Sequence, residues 1–318
     1  MSHGYSVRSE MREGVEIFLL TNDGKAEAEV APALGNNCFV FRTSDVALLE
    51  PVLFADFLKK PTSYGIPLLF PYPNRVSEGV LEFQGKLYPV QPNRHGYVRD
   101  KAWTVVDSGA TADGGAWVTS ALDTHTYADQ ILTQFPFPFR IEVTYRLHDL
   151  SLVLETTVHN TGNGELPFGF GIHPYFRRPD HGKLFIPAHL RWELNGSLPT
   201  GNLLEVDGMF DLRDGQETSQ IELDDIYTDM VVDELGLVHC VLEDTPARSL
   251  VVVESDVTTF PHIVAYTAPL PRKAICIEPY TCPTDGFNLQ ARGIDANLIV
   301  LEPGATRKMV ITIRHENF

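Results

Sequence analysis

Residues 141–158 read IEVTYRLHDLSLVLETTV, and the spacing of their side chains predicts two paired β-strands. From Ile141 to Leu147, and again from Leu152 to Val158, every second residue is apolar or threonine. A pleated strand places alternate side chains on opposite faces, whereas an amphipathic helix repeats about every 3.6 residues. We therefore expect a hairpin that turns near Asp149 and buries one face in a core.

The same two-residue period recurs outward from this segment. Residues 80–90 predict a second hairpin with its turn at residues 84–86, and residues 249–255 and 305–313 are further apolar, β-branched runs. Helical spacing is limited to a short segment after Pro51, because that proline interrupts the helical pattern around it. Many strands with few, short helices predict an all-β fold, a large antiparallel β-sandwich of two packed sheets.

The composition predicts one folded domain over residues 1–318. Hydrophobic residues make up 43% and charged residues 21% of the chain, which is typical of a folded protein and disfavours general disorder. The glycines and prolines are spread along the chain and are not gathered in a linker, and no repeat of fixed period is found.

Charge and cysteine content narrow the expected partners and location. Acidic residues exceed basic residues by 17, and a negative field repels nucleic acid and anionic lipid surfaces, so neither is an expected partner. The sequence contains no run of about 18 apolar residues that could cross a bilayer, and the first residues form no secretory apolar stretch. The four cysteines form no C-x-x-C pair, so reduced thiols and a cytoplasmic location are expected.

Common catalytic signatures are missing from the sequence. It contains no Walker phosphate loop, no G-x-S-x-G elbow, no H-E-x-x-H pair and no complete G-x-G-x-x-G. Their absence disfavours nucleotide-binding, serine-hydrolase and metalloprotease functions.

A histidine lies inside the apolar, glycine-rich segment FGFGIHPYF, residues 168–176. In a strand, His173 shares a face with Gly169 and Gly171, while the bulky residues pack on the other face. Glycine within a strand often marks the close approach of a ligand, and Pro174 restricts His173 to extended backbone angles. The pattern indicates an imidazole that faces a cavity; the alternative is a core histidine bonded to a carbonyl group.

A carboxylate ends the apolar segment AICIEPY, residues 274–280. The two-residue period places Cys276 and Glu278 on one face, with Ile275 and Ile277 opposite. A carboxylate in such a strand is costly unless it is paired or used in function, so Glu278 is a candidate base. The alternative is a solvated glutamate at a strand end.

A third region combines PLLFPYPNR, residues 67–75, with NRHGYVR, residues 93–99. Apolar beginnings and polar ends, together with nearby aromatic residues, suit a polar ligand with apolar faces, such as a sugar. The alternative interpretation, which takes Arg75 and Arg99 singly, is that they are surface ion-pair partners. As a group, these segments and the residues after His173 offer hydrogen-bonding or aromatic side chains: Asn74, Arg75, His95, Arg99 and Tyr175.

Taken in order, these segments resemble the aldose 1-epimerases, the galactose mutarotase-like proteins. The resemblance covers roughly residues 26–313. The motifs that carry it are Leu69-Phe70-Pro71 with Asn74-Arg75, His95-Gly96-Tyr97-Val98-Arg99 ahead of Trp103, Gly171-Ile172-His173-Pro174-Tyr175-Phe176, and Glu278-Pro279.

The resemblance implies a β-sandwich whose groove binds a monosaccharide and interconverts its α and β anomers. On that likeness His173 is the general acid and Glu278 the general base, and Arg75 and His95 bind sugar oxygens. No metal or other cofactor is implied, and a monomer or homodimer is expected.

The same resemblance places a substrate-binding aspartate before an aromatic residue, at Asp224 or Asp225. Asn74, Arg99 and Tyr175 complete the expected substrate-binding set. The chain has tyrosine at position 97 where galactose-type members have glycine, which indicates other or phosphorylated sugars.

Mutarotation needs a base for the proton of the anomeric hydroxyl and an acid for the ring oxygen. A carboxylate is ionised at neutral pH, and acidic neighbours would favour the imidazolium form of a histidine. The sequence therefore predicts an aldose 1-epimerase. The alternatives are a hexose-6-phosphate 1-epimerase, in which Arg94 or Arg99 with Arg75 holds the phosphate, and a non-catalytic carbohydrate-binding or sensing protein. A glycoside hydrolase ordinarily needs two carboxylates, and the sequence offers one candidate.

Overall fold

β-Strands dominate this computed structural model, which describes residues 4–44 and 46–318. In chain order the strands are β1 (Tyr5–Arg12), β2 (Val15–Asn22), β3 (Ala26–Ala31), β4 (Asn37–Thr43), β5 (Val46–Ala47), β6 (Leu68–Leu69), β7 (Val80–Phe83), β8 (Lys86–Pro89), β9 (Thr104–Thr111), β10 (Gly115–Asp123), β11 (Phe139–His148), β12 (Ser151–Asn160), β13 (Leu166–Phe168), β14 (Gly171–Ile172), β15 (Tyr175–Arg177), β16 (Lys183–Phe185), β17 (Ala188–Asn195), β18 (Leu198–Glu205), β19 (Gln216–Glu217), β20 (Asp224–Met230), β21 (Leu237–Asp244), β22 (Ser249–Asp256), β23 (His262–Thr267), β24 (Ala274–Tyr280), β25 (Ile299–Leu301) and β26 (Thr306–Asn317).

The helices are short, as expected. They are α1 (Phe54–Lys59), α2 (Ala128–Ile131) and α3 (Gly286–Ala291), with 3₁₀ turns at Pro61–Ser63, Ser77–Gly79, Val98–Asp100, Thr124–Tyr127 and Gly208–Phe210. Helix α1 follows Pro51 closely, which confirms the short helix predicted there. Within the described residues, none of these helices is long and apolar enough to cross a membrane.

Two large antiparallel sheets form the body of the fold and confirm the predicted β-sandwich. In the described part of the chain, one sheet has nine strands in the order β19-β16-β21-β22-β26-β12-β11-β10-β9. The other has eight, in the order β18-β17-β20-β23-β24-β14-β6 with β15 also paired to β24. Strands β1 to β5 form a further sheet, and β13-β25 and β7-β8 form small pairs.

The hairpins predicted from the sequence are confirmed. Strands β11 and β12 are antiparallel, with Ile141 opposite Val158. Strands β7 and β8 are joined at Gln84 and Gly85, whose φ angles are 51° and 72°. Two positive φ angles are what a two-residue turn of type I′ requires, and such a turn follows the natural twist of the strands.

One buried apolar cluster joins the inner faces of the two large sheets. It contains Tyr145 of β11 and both Ile275 and Ile277 of β24. Because side chains alternate along a strand, Cys276 and Glu278 lie on the opposite face of the eight-stranded sheet, as predicted. That face carries the candidate site.

Candidate active site

His173 and Glu278 meet at the outer face of the eight-stranded sheet, although they are far apart in the sequence. Strand β14 pairs with β24 through Gly171 and Tyr280, and the His173 N–H donates to the Pro67 carbonyl at 3.0 Å. The His173 Nε2 and Glu278 Oε1 atoms are 3.3 Å apart, and the two side chains are 11% and 2% exposed. This contact brings an imidazole and a carboxyl group into one buried place.

Burial favours the neutral form of both groups. It lowers the pKa of His173 to about 3, and the cations of Arg99, Arg272 and Arg94 act in the same direction. It also raises the pKa of Glu278 well above its usual value. The expectation that acidic neighbours favour the imidazolium form of His173 is therefore wrong, because its charged neighbours include these arginines. Burial therefore favours a neutral pair, in which the Glu278 carboxyl group keeps its proton and the His173 imidazole is uncharged.

Tyr280 holds the carboxyl group from the other side. Its hydroxyl donates to Glu278 Oε2 at 2.6 Å, and both side chains belong to the same face of β24. Burial dominates the pKa of Glu278, but this hydrogen bond favours the carboxylate and opposes the rise. Glu278 is therefore oriented with Oε2 on Tyr280 and Oε1 on His173.

The glycines that precede His173 make room for packed side chains. A Cβ on Gly169 would lie 2.3 Å from Cys282 Sγ, and one on Gly171 would lie 2.4 Å from Tyr280 Cδ1. The expectation that these glycines mark the approach of a ligand is wrong, because residues of β24 and the segment after it fill that face. His173 nevertheless reaches a cavity from its own position.

A second wall of the site is built from two loop segments, residues 70–75 and 94–96. An antiparallel bridge joins Arg75 to Arg94. Between the segments, the Asn74 N–H donates to His95 Nδ1 at 3.2 Å, and the His95 N–H donates to the Asn74 carbonyl at 2.6 Å. An Nδ1 that accepts a hydrogen bond leaves the proton of a neutral imidazole on Nε2.

His95 is neutral in this environment. Burial lowers its pKa well below the usual value, and electrostatic interactions with His173 and with the cations of Arg99, Arg94 and Arg75 lower it further. The ring centroids of His95 and His173 are 5.5 Å apart. His95 therefore supplies an Nε2–H donor close to the pair.

These two walls enclose a cavity of about 130 Å³. Of its lining residues, Tyr266 is absent from the set that the sequence predicts, and Arg94 is predicted only as a phosphate ligand of the alternative function. The sequence feature that could have identified Tyr266 is its place in β23. It is a polar aromatic residue on the outward face of that strand, opposite the apolar face. The lining is Asn74, Arg75, Arg94, His95, His173, Asp224, Tyr266 and Glu278.

The family model of the aldose 1-epimerases matches residues 41–314. The chain belongs to the aldose 1-epimerase family. Its fold is similar to that of a galactose mutarotase-like protein from Clostridium acetobutylicum, with a TM-score of 0.88, 23% identity and 99% of each chain covered. It is also similar to the Slr1438 protein of Synechocystis sp. PCC 6803, with a TM-score of 0.79, 23% identity and coverage of 98% and 99%. In sequence it is 24% identical to the uncharacterized protein YihR of Escherichia coli strain K12 over 260 residues, 77% of each chain.

In this aldose 1-epimerase family member, Asp224 and Asp225 point in different directions. Asp224 lines the cavity, with its Oδ2 at 4.0 Å from Arg75 Nη1. Asp225 is the next residue of β20 and faces Arg191, at 3.6 Å from Nη1. The alternation of the strand therefore brings Asp224 to the site and takes Asp225 away from it.

Two other residues that the sequence predicted are near the pair but do not line the cavity formed by the described residues. The Tyr175 ring stacks on His173 at 4.5 Å between centroids, and the Arg272 guanidinium lies 4.2 Å from the Tyr175 centroid. Arg272 in turn donates to Glu50 Oε2 at 2.7 Å. Arg99 is half-buried, and its charge contributes to the lowered pKa of both histidines.

Three side chains of this family member lie close enough to one another to be candidate ligands of a metal ion. Ligand atoms of His173, Cys276 and Glu278 lie within 4.8 Å of one another. A cysteine binds a metal as its thiolate, and burial raises the pKa of Cys276 well above its usual value. The donor set therefore suits proton transfer better than metal ligation.

Proposed function

We propose that the protein is an aldose 1-epimerase that interconverts the α and β anomers of a hexose. The observation that carries the proposal is the 3.3 Å contact between His173 and Glu278 beside a small polar cavity. One acid and one base suffice for proton transfers at the anomeric hydroxyl and the ring oxygen. Family membership supports the same reaction, and the proposal treats residues 1–318 as one catalytic domain.

In the proposed reaction Glu278 is the base and His173 is the acid. Transfer of the carboxyl proton from Glu278 to His173 across their contact converts the neutral pair into the active form, a carboxylate beside an imidazolium. The Glu278 carboxylate then takes the proton of the anomeric hydroxyl while His173 protonates the ring oxygen, and the bond between C1 and the ring oxygen breaks. The open-chain aldehyde rotates about C1–C2, and closure with the transfers reversed gives the other anomer.

The remaining cavity residues bind and orient the sugar in this proposal. Arg75 and the His95 Nε2–H donate to sugar oxygens, and Asp224 accepts from a sugar hydroxyl. Asn74 holds Arg75 in place, because its Oδ1 accepts from Arg75 Nη1 at 3.0 Å. Polar groups on several sides of one cavity fix the ring relative to the acid and the base.

Tyr175 and Arg99 support the acid in this proposal and do not contact the sugar. The stack of Arg272, Tyr175 and His173 limits rotation of the imidazole. The positive charge of Arg99 disfavours the imidazolium, which makes the protonated His173 a stronger acid.

Replacing Tyr280 with phenylalanine is expected to lower kcat by about tenfold, since a hydrogen bond to a charged group contributes roughly 1.5–3 kcal/mol. The change removes a donor that favours the Glu278 carboxylate, so the pKa of Glu278 rises further. A higher pKa makes transfer of the carboxyl proton to His173 less favourable, and it moves the basic limb of the kcat/KM profile, where the pair loses that proton, to higher pH. Polarimetry across the pH range measures both effects. A basic limb at its wild-type position would contradict this role.

The proposed function is tested by polarimetry of freshly dissolved sugars. The protein is expected to accelerate the approach of α-glucose or another neutral hexose to anomeric equilibrium well above the spontaneous rate. A panel of neutral, phosphorylated and sulfonated hexoses identifies the preferred substrate. Binding of a sugar without any acceleration would instead support a carbohydrate-binding or sensing protein.

A hexose-6-phosphate 1-epimerase is the second candidate, and Arg94 is the observation that favours it. Its side chain lines the cavity, is exposed, and has no hydrogen-bond or ion-pair partner among residues 4–44 and 46–318. Arg75 lies across the bridge from it, so two guanidinium groups flank one rim. A higher kcat/KM for glucose 6-phosphate than for glucose, lost in Arg94→Ala, would select this candidate.

A further inference from the structure

A series of planar side chains begins at His173. The Tyr175 ring stacks on the imidazole with an angle of 22° between the two planes. The Arg272 guanidinium lies 4.2 Å from the centroid of that tyrosine ring and 4.9 Å from the centroid of Tyr64. A planar guanidinium stacks on aromatic rings, so its position constrains the ring beside it. The orientation of His173 therefore depends on how firmly Arg272 is held.

Glu50 holds the Arg272 guanidinium. Its Oε2 atom accepts a hydrogen bond from Arg272 Nε at 2.7 Å and a second one from Nη2 of the same group. Nη2 also donates to the Ser63 carbonyl at 2.6 Å. The side chain of Glu50 is 13% exposed and that of Arg272 is 27% exposed. Hydrogen bonds between charged groups are stronger than those between neutral groups, so Glu50 fixes both the position and the plane of the guanidinium.

The backbone joins Glu50 to the strand that carries Tyr175. The Glu50 N–H donates to the Tyr175 carbonyl at 2.8 Å, and an antiparallel bridge pairs the preceding residue, Leu49, with Phe176. Pro51 follows Glu50 in the sequence and favours extended backbone angles at the glutamate. The carboxylate that holds Arg272 and the tyrosine that Arg272 contacts are therefore attached to neighbouring backbone.

Glu50 also balances a charge near the acid. Burial is the main cause of the low pKa of His173, and the cation of Arg272 lowers that pKa further. An anion in contact with the cation offsets part of its effect at a distance. Without the Glu50 carboxylate, the unbalanced cation would make the imidazolium of the active form harder to reach.

We infer that Glu50 is a positioning residue for the acid of the reaction. It holds Arg272 against Tyr175, and that stack holds the His173 imidazole in line for proton transfer to the ring oxygen. The inference rests on the proposed function. Glu50 is not among the described residues that line the cavity at the pair, so it acts through Arg272 and not on the sugar. A loss of alignment lowers the rate of the chemical step without removing a contact to the sugar.

Glu50→Gln tests this role. Glutamine has the size of glutamate and keeps one acceptor oxygen, but it lacks the charge that holds the guanidinium. We expect kcat for the best hexose substrate to fall about tenfold, in keeping with the loss of a hydrogen bond between charged groups. The dissociation constant of that hexose should keep its wild-type value. A wild-type kcat measured by polarimetry, or weaker binding measured by calorimetry at an unchanged kcat, overturns the inference.

A double-mutant cycle shows whether Glu50 acts through Arg272. Arg272→Met keeps an unbranched side chain but removes the guanidinium, and it should lower kcat by a similar factor. In the Arg272→Met background, Glu50→Gln should have no further effect on kcat, because the interaction that it removes is already absent. Additive losses in the double variant overturn the inference.

Glu29→Gln is the matched control. The Glu29 side chain is 10% exposed, and its Oε2 accepts from Arg12 Nη1 at 2.6 Å. The Arg12 guanidinium lies 5.1 Å from the centroid of Phe54, so this pair has the same chemistry but contacts a different ring. Glu29→Gln should keep kcat at the wild-type value. An equal loss of kcat in Glu29→Gln and Glu50→Gln overturns the inference.

Proton NMR of the histidine rings separates this inference from the proposed function. The stacked Tyr175 ring should shift the signal of the His173 Cε1 proton from its usual position, and the loss of this signal in His173→Asn assigns it. Glu50→Gln and Arg272→Met should each move the signal back towards the usual position, so one folded variant suffices.

The two possible failures then have different signatures. If the signal moves as expected but the wild-type protein accelerates no sugar, the proposed function fails and the positioning of His173 by Glu50 stands. If sugars react while the His173 signal keeps its wild-type position in every folded variant, the proposed function stands and the inference is overturned.

Discussion

Glu278→Gln is expected to lower kcat for anomer interconversion by about 10³-fold, within the range that general acid–base groups contribute. Glutamine keeps the shape of the side chain and can still accept the Tyr280 hydroxyl, but it cannot take a proton from the anomeric hydroxyl. The dissociation constant for the sugar should change little, because the lost interaction belongs to the transition state. Polarimetry gives kcat, and calorimetry gives the dissociation constant.

His173→Asn should have an effect of similar size, because it removes the proton donor for the ring oxygen. Asp225→Asn is the matched control: it also converts a carboxylate to an amide, but Asp225 faces Arg191 and not the cavity. Its rate should stay near that of the wild type. Wild-type rates in both Glu278→Gln and His173→Asn would refute the assigned roles.

Gly96→Ala is expected to destabilise the protein by about 3 kcal/mol or more, among the larger effects of a single substitution. Gly96 has φ of +67°, and a Cβ there would lie 1.9 Å from the carbonyl oxygen of Phe70. The added Cβ is bonded directly to the backbone, and the carbonyl oxygen is itself a backbone atom. No side-chain rotation therefore relieves the overlap. The segment would have to move, and with it the neighbouring His95.

Gly293→Ala provides the control for the backbone angle alone. Gly293 has φ of +80°, but nothing lies within 4 Å of a Cβ built on it. Alanine at this position meets only the left-handed backbone penalty of about 1–2 kcal/mol. Denaturant unfolding of both variants measures the difference. Equal losses of stability would show that the contact with Phe70 has no importance.

The local pattern of the strands made much of the fold predictable. The pairing of strands that are distant in the sequence could not be predicted. The hairpin of residues 141–158 follows from a period of two residues on both sides of one turn, which is information held within the segment itself. The side of the sheet on which Glu278 lies also follows, because Ile275 and Ile277 are apolar. The position of β26 between β12 and β22 depends on long-range packing that no local spacing encodes.

The candidate site was predictable as a set of residues and not as an arrangement. The order of short motifs selected His173, Glu278, Arg75 and His95, but their distances depend on sheet topology. The choice between Asp224 and Asp225 needed the strand alternation seen in β20. The low pKa of His173 also could not be predicted, because it arises first from burial in the folded protein and then from arginines that come from separate segments.

Tyr280 combines two roles in one side chain, since its ring fills the space beside Gly171 and its hydroxyl bonds Glu278. Any residue larger than glycine at position 171 displaces the ring and carries the hydroxyl away from the carboxyl group. During evolution, a substitution at one of the two positions is therefore expected to require a substitution at the other. Divergent sequences of this lineage should record that constraint as coordinated substitutions at positions 171 and 280.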